Sequence, residues 1–279
     1  MFFFPLFDDN PAKNFPITTW LIIFICSLIF IYQTSLDNNG LNFIFYNFGV
    51  VPAFITFPSN SENLTLIHPY LTLLSSTFLH AGWMHLIGNM LYLWIFGDNV
   101  EDSMGIMRFV IFYIICALSA GLLQVTFNPT SYIPMVGASG AIAGVLGSYL
   151  VLYPRANVKV FIWIIFFVRT INVPAWIVLG IWIMIQFISL PESLNSQSGG
   201  VAYFAHIGGF IAGVILTPFF KKPEKQIFAS AHSHSWEHRS TEKSDFKNFI
   251  THNKSLSSVP LLKKRLKSSV PISKNKKIN

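Results

Sequence analysis

The chain has 279 residues, 52% of them hydrophobic, 16% aromatic and only 11% charged. A soluble domain carries about 25% charged residues, so this composition excludes an ordinary water-soluble enzyme and indicates a polytopic membrane protein. The net charge of +7 does not imply nucleic acid, because fourteen of the nineteen Lys and Arg lie from Lys221 onward.

Residues 1–16 read as a short lead. Ile17–Thr34 forms the first span; with only Lys13 before it and no small-residue cleavage site after it, it reads as a signal anchor. Ser35–Leu79 mixes Asn, Pro and Ser with Phe, Ile and Leu and holds no Lys or Arg. It is too polar to span and too apolar for a free linker, so an interfacial or partly embedded excursion is expected. The second span runs from Trp83 to Phe96 and ends in Gly97-Asp98, with Glu101 and Asp102 beyond. Span three covers Met107–Phe127. The connection Asn128–Val136 leads to span four, Ala138–Tyr153, stopped by Pro154 and Arg155. Val158–Val168, flanked by Lys159 and Arg169, is apolar but short; it reads as an interfacial segment or an extension of span five, Pro174–Leu190. Pro191–Gly200 is a polar turn, and span six is Val201–Phe220, stopped by Lys221-Lys222. Cys26 and Cys116 fall inside apolar runs and read as buried free thiols.

Six spans put both termini on one side of the membrane, with the connections after spans two and four. All nineteen basic residues then fall on that side, and the three opposite connections have none. The positive-inside rule makes that side, and both termini, cytoplasmic. A seventh span at Val158–Val168 would break the pattern.

Embedded polar side chains need partners or a function. The stretch Pro134–Pro154 carries Ser139 boxed as Gly137-Ala138-Ser139-Gly140, followed by small residues at spacing four: Ser139, Ala143 and Gly147 on one stripe, Gly140, Gly144 and Ser148 on the next. Such stripes let membrane helices approach closely. Span six opens with His206 above Gly209 and Gly213. Span two opens with His80, His85 and Asn89; His85 and Asn89, four apart, share a helical face, whereas His80 and His85, five apart, are turned about 140° away from each other. Spans two, four and six run in the same direction, so Ser139, His206, His85 and Asn89 fall at one depth near the outer surface. A serine needs a base within hydrogen-bond reach to become a nucleophile, and His206 can take that role if the two small-residue stripes face each other. Acyl transfer also needs donors for the oxyanion; Asn89, His85 and the Ser139 backbone N–H are available, and the positive end of the span-four dipole lies under the serine. No acidic residue lies within an expected span, which favours a Ser–His dyad over a triad.

These residues resemble those of the rhomboid intramembrane serine proteases of the six-span prokaryotic type. The matching elements are the Gly137–Gly140 box, Ala205-His206 with Gly209 and Gly213, the His80, His85, Asn89 spacing, and Gly97, Glu101 and Gly105. The resemblance covers Ile17–Phe220 and implies an all-α bundle of six transmembrane helices, with Ser35–Leu79 as a lateral first loop. It implies Ser139 as nucleophile, His206 as general base and acid, His85 and Asn89 on the oxyanion side, and His80 in a structural role. It further implies transmembrane-protein substrates and no cofactor. Two departures stand out. Some members carry a Trp-Arg pair in the first loop, which holds no arginine here. Some place a tyrosine four residues after the nucleophile to stack on the catalytic histidine, where this chain has Ala143.

Other readings compete. Ser139 as a packing residue resembles the reading given to Ser148. A metal site at His85 and His206 lacks an HExxH run or an embedded carboxylate. A non-cleaving relative that binds membrane clients would lack the serine or the histidine, and a transporter would show an inverted repeat. The tail, residues 221–279, reads as basic and disordered; His232, His234 and His238 around Trp236 read as solvated, and Ser-Ser-Val-Pro recurs at Ser257–Pro260 and Ser268–Pro271. Its basic residues suit an anionic lipid surface, and no nucleic-acid partner is expected. Short connections and the absence of a transit-like leader point to a bacterial inner membrane, with the mitochondrial inner membrane as the alternative.

Overall fold

The computed structural model describes residues 2–61, 65–164, 167–191 and 200–229. The chain opens with strand β1, Phe2–Asp8, and helix α1, Ile17–Thr34. The following segment makes α2 (Asn38–Phe48), α3 (Pro52–Thr56) and α4 (Pro69–Ser75), with short 3-10 turns at Pro58–Ser61 and Ser76–Phe78. Then come α5 (Trp83–Met104), α6 (Ile106–Phe127) and α7 (Ser139–Leu152). Strands β2 (Asn157–Ile164) and β3 (Phe167–Pro174) precede α8 (Ala175–Ile188) and α9 (Tyr203–Phe220). Helices α1, α6 and α9 are long and apolar enough to cross a membrane; α7 and α8 are apolar but shorter.

Burial in α1 inverts the pattern of a soluble helix. Ile22, Cys26, Phe30 and Gln33 turn inward, while Leu21, Phe24, Leu28 and Ile31 lie on the surface. An apolar exterior of that extent needs an apolar solvent. At the centre stands α7, where every residue except Ser139 and Leu150 is buried. Its glycines make that possible. A Cβ at Gly144 would strike Cys116 on α6, and one at Gly147 would strike the Phe210 backbone on α9.

The structure corrects the sequence reading at five places. The chain is mostly helical rather than all-α, because Val158–Val168 neither extends span five nor forms a helix. Rich in β-branched and aromatic residues, its described part belongs to the antiparallel pair β2 with β3, from Asn157↔Pro174 to Ile164↔Phe167. Phe2–Asp8 is no mere lead: it adds to β2 as a third strand, in the order β1-β2-β3. The third difference is that α5 does not stop at Phe96 but continues to Met104, carrying Asp98, Glu101 and Asp102 into the bundle. Next, residues 221–229, assigned to the tail, lie on the bundle: Lys222 N donates to Ser103 O, Phe228 N to Val151 O and Ala229 N to Leu152 O. The last concerns His80, which precedes the helix and escapes its angular rule, as described below. The histidines and repeated motifs of the tail lie outside the described residues.

Polar contacts at the α5 C-terminal end explain its extra length. Helix α1 has no side-chain cap of its own, so its first N–H groups need an acceptor. Glu101 supplies one, accepting from Thr18 N and Thr19 N at 2.8 Å each and from Thr19 Oγ1 at 2.9 Å. Gly97 lets the two helices meet, since a Cβ there would lie 3.1 Å from Thr19 Oγ1. Nearby, Asn99 Nδ2 donates to Asp8 Oδ2, Asn10 Nδ2 donates to Asn99 Oδ1, and the Tyr149 hydroxyl donates to Asp8 Oδ2. The strand layer is thereby tied to α5 and α7.

Candidate active site

Ser139 is the first residue of α7, following a connection held at several points. Val50 and Met135 exchange both backbone hydrogen bonds, at 2.9 and 2.7 Å, and Ala53 N donates to Ser131 O at 2.9 Å. Gly137 N donates to Ser76 O at 2.9 Å. The first-loop segment therefore braces the approach to the serine. Gly137 has φ +128°, a conformation that side-chain-bearing residues rarely adopt. An added Cβ would also lie 2.6 Å from His85 Nε2 and 3.5 Å from Asn89 Nδ2. Both polar side chains of the α5 face thus converge on the residue two positions before Ser139.

Asn89 is buried, and its Nδ2 has no hydrogen-bond partner. Leaving a buried donor unpaired costs about 1–3 kcal/mol, and such a group calls for an explanation beyond packing. His80 lies before α5 and is almost fully buried. Gln33 of α1 clamps its backbone: Gln33 Nε2 donates to His80 O and His80 N donates to Gln33 Oε1, both at 3.1 Å. Gly82 at the helix start is extended, so a helical angle does not relate His80 to His85. Instead their rings meet edge to face, with centroids 5.2 Å apart.

The two small-residue stripes do face each other. A Cβ at Gly209 would fall on the Gly140 carbonyl oxygen, and one at Gly213 on that of Gly144. The α7 and α9 backbones touch one residue after Ser139 and one turn after His206. A third element fixes the start of α9: buried Gln124 of α6 accepts from Ala205 N at 3.2 Å. His206 is buried, and His85 lies within electrostatic reach of it. On the α6 side, Ser139 and Gly140 border a cavity of about 40 Å³ that also touches Ser76, Ala120 and Ala205.

Two contacts to His206 escaped the sequence reading. Gln186 Oε1 lies 2.7 Å from His206 Nδ1, and the Trp182 ring packs on the imidazole with centroids 5.7 Å apart. Tyr203 meets it edge-on at 6.5 Å. Ala143 offers no ring, but Trp182 does, so the support missing from α7 comes from α8. Gln186 was detectable as a lone amide in an apolar run, one turn after a tryptophan.

The family profile described as the rhomboid domain matches residues 68–223. "Rhomboid protein 1, mitochondrial" of Saccharomyces cerevisiae is 29% identical over 168 residues, 56% of this chain and 44% of its own length. "RHOMBOID-like protein 4" of Arabidopsis thaliana is 34% identical over 145 residues, covering 52% of this chain and 32% of its own. "Rhomboid protease GluP" of Bacillus subtilis is 28% identical over 201 residues, 72% of this chain and 35% of the relative. Matches therefore span less than half of these relatives' lengths.

Proposed function

The chain belongs to the rhomboid family, and on that premise we propose that it is an intramembrane serine endopeptidase acting on transmembrane segments of other membrane proteins. The observation that carries this reading is the glycine contact between α7 and α9, which brings the turns bearing Ser139 and His206 together. Helices α1, α5, α6, α7, α8 and α9 are its six spans, residues 17–220 its catalytic region, and residues 230–279 a basic extension suited to anionic lipid. Both termini share the basic side. Relatives include a bacterial and a mitochondrial protein; the reading takes the bacterial inner membrane first and the mitochondrial inner membrane second.

Depth supports the chemistry. Helix α7 has 14 residues and rises about 21 Å, against a hydrocarbon core of about 30 Å. Anchored at its Tyr149 end, it leaves Ser139 below the opposite membrane surface yet reachable by water from that side. In the acylation step, His206 Nε2 takes the Ser139 proton as Oγ bonds to the scissile carbonyl carbon. Asn89 Nδ2, with its vacant hydrogen bond, and His85 face the developing oxyanion. Collapse breaks the C–N bond, and His206 returns its proton to the leaving amine. Water then attacks the acyl-serine, giving a proton to His206; the ester C–O bond breaks to release the carboxylic acid as His206 returns that proton to Ser139 Oγ.

The test is cleavage of a single-span substrate in proteoliposomes by the wild type, Ser139→Ala and His206→Ala. Cleavage by either variant at the wild-type rate overturns the dyad. A non-cleaving, client-binding protein is the competing class; labelling of Ser139 by a serine-reactive phosphonate separates the two.

A further inference from the structure

We propose that Gln186 is a positioning residue that fixes the tautomer of His206, giving the serine–histidine pair a neutral third member; this rests on the protease reading above. Gln186 Nε2 donates to the backbone carbonyl of Trp182 at 3.0 Å. A carbonyl only accepts, so that contact assigns the nitrogen of the amide and turns Oε1 toward His206. At 2.7 Å from Oε1, His206 Nδ1 must be the donor. The hydrogen of a neutral imidazole then resides on Nδ1, and Nε2 is left with its lone pair. That is the form a base needs in order to receive the Ser139 proton.

Neutrality follows from the setting. Gln186 and His206 are both buried, between helices in a chain whose outer face is apolar. A carboxylate in that place would bring the desolvation cost of a buried charge, whereas an amide oxygen orients the ring without adding one. Trp182 serves the arrangement twice. Its carbonyl fixes the amide and its ring packs on the imidazole, so one turn of α8 sets both the rotation and the tautomer of the base. The other groups acting on the imidazole are His85 from α5 and the Tyr203 ring edge from its own helix.

The experiment measures kcat, KM and the pH dependence of kcat/KM for full-length wild type, Gln186→Glu and Gln186→Leu in proteoliposomes, with a fluorogenic single-span substrate. Ser139→Ala and His206→Ala run in parallel. Gln186→Leu keeps the volume but removes the acceptor; kcat is expected to fall about tenfold or more with KM within about twofold. Gln186→Glu keeps an acceptor and adds charge. It is expected to restore kcat on the alkaline side and move the acid limb of the profile up by about one pH unit or more. A packing role, served equally by leucine, predicts neither the loss of kcat in Gln186→Leu nor its recovery in Gln186→Glu. If Gln186→Leu fails to fold, the profile of Gln186→Glu alone decides. An acid limb left in place by Gln186→Glu overturns the assignment, as does wild-type kcat in a folded Gln186→Leu. Inactive Ser139→Ala and His206→Ala beside normal Gln186 variants would remove only this inference; active ones would remove the protease reading itself.

Discussion

Replacing Gly209 by alanine tests the contact on which the site depends. The new Cβ would fall on the Gly140 carbonyl oxygen. Restoring a C···O separation of about 3.3 Å requires α7 and α9 to part by on the order of 1 Å. Overpacking of this kind costs about 1–3 kcal/mol, while exchanging helical Gly for Ala returns about 1 kcal/mol of propensity. The net loss of stability should therefore be no more than about 2 kcal/mol. Activity should suffer more, because the displaced turns carry Ser139 and His206. Misplacing reacting groups by about 1 Å reduces rate about 100-fold, equivalent to about 2.7 kcal/mol in the barrier. The control is Gly180→Ala on α8, where nothing lies within 4 Å of the added Cβ; it should cleave normally and melt at or slightly above the wild-type temperature. Initial cleavage rates in proteoliposomes, paired with thermal unfolding in detergent, provide both quantities. The reasoning is refuted if folded Gly209→Ala cleaves within threefold of wild type, or if Gly180→Ala loses as much.

Further expectations concern single polar groups. Asn89→Leu should lower kcat by about 100-fold or more with little change in KM, yet leave the melting temperature unchanged or raised because an unpaired buried donor is removed; a normal rate counts against the oxyanion role. Glu101→Ala removes an acceptor from two backbone N–H groups and a threonine hydroxyl, and should cost about 3 kcal/mol or more in unfolding free energy. Unchanged denaturant midpoints would contradict that. Burial pushes the Asp8 carboxyl up to about 8, against the Tyr149 hydrogen bond and reinforced by Asp98 and Asp9. The folded chain then holds a proton that the unfolded chain gives up above about pH 4, so this group lowers stability as pH rises from about 4 to 8. Asp8→Asn should flatten that slope in melting curves recorded across the window; an unaltered slope refutes it.

Long apolar runs and their glycine stripes were legible because membrane helices impose simple rules. Helix α1 begins and ends at the expected residues, and the Gly140/Gly144 face meets the Gly209/Gly213 face as the spacing implied. What stayed hidden depended on partners distant in sequence. Nothing local reveals that Phe2–Asp8 pairs with residues near 160, or that Glu101 caps a helix beginning at Ile17. Glu101 and Asp102 read as the end of a span, because the donors they bind lie on other elements. The hairpin is hidden for a different reason: Val158–Val168, ten apolar residues and Lys159, fits a helix or a strand until pairing decides. Gln186, a lone amide in an apolar run, obeys the same rule as the embedded histidines, asparagine and serine.

The two ends of α5 differ in how their polar side chains are paired. Near Met104 and Leu152, Glu101, Asp102, Asn99, Asn10, Asp8 and Tyr149 all have partners, and Lys225 closes on Asp102 at 2.6 Å. Around Ser139, the Nδ2 of Asn89 is buried without a partner. That unpaired group favours a relaxed arrangement in which it finds a hydrogen bond, so something must oppose that relaxation. The satisfied end supplies the opposition. It fixes the start of α1, the end of α5 and the end of α7 to one polar network, and the glycine contact ties α9 to α7. Loosening the distant network should therefore reduce activity before it unfolds the chain. In the Glu101→Ala series, a loss of cleavage at temperatures well below the melting transition is the expected order, and simultaneous loss would show that the two ends are energetically independent.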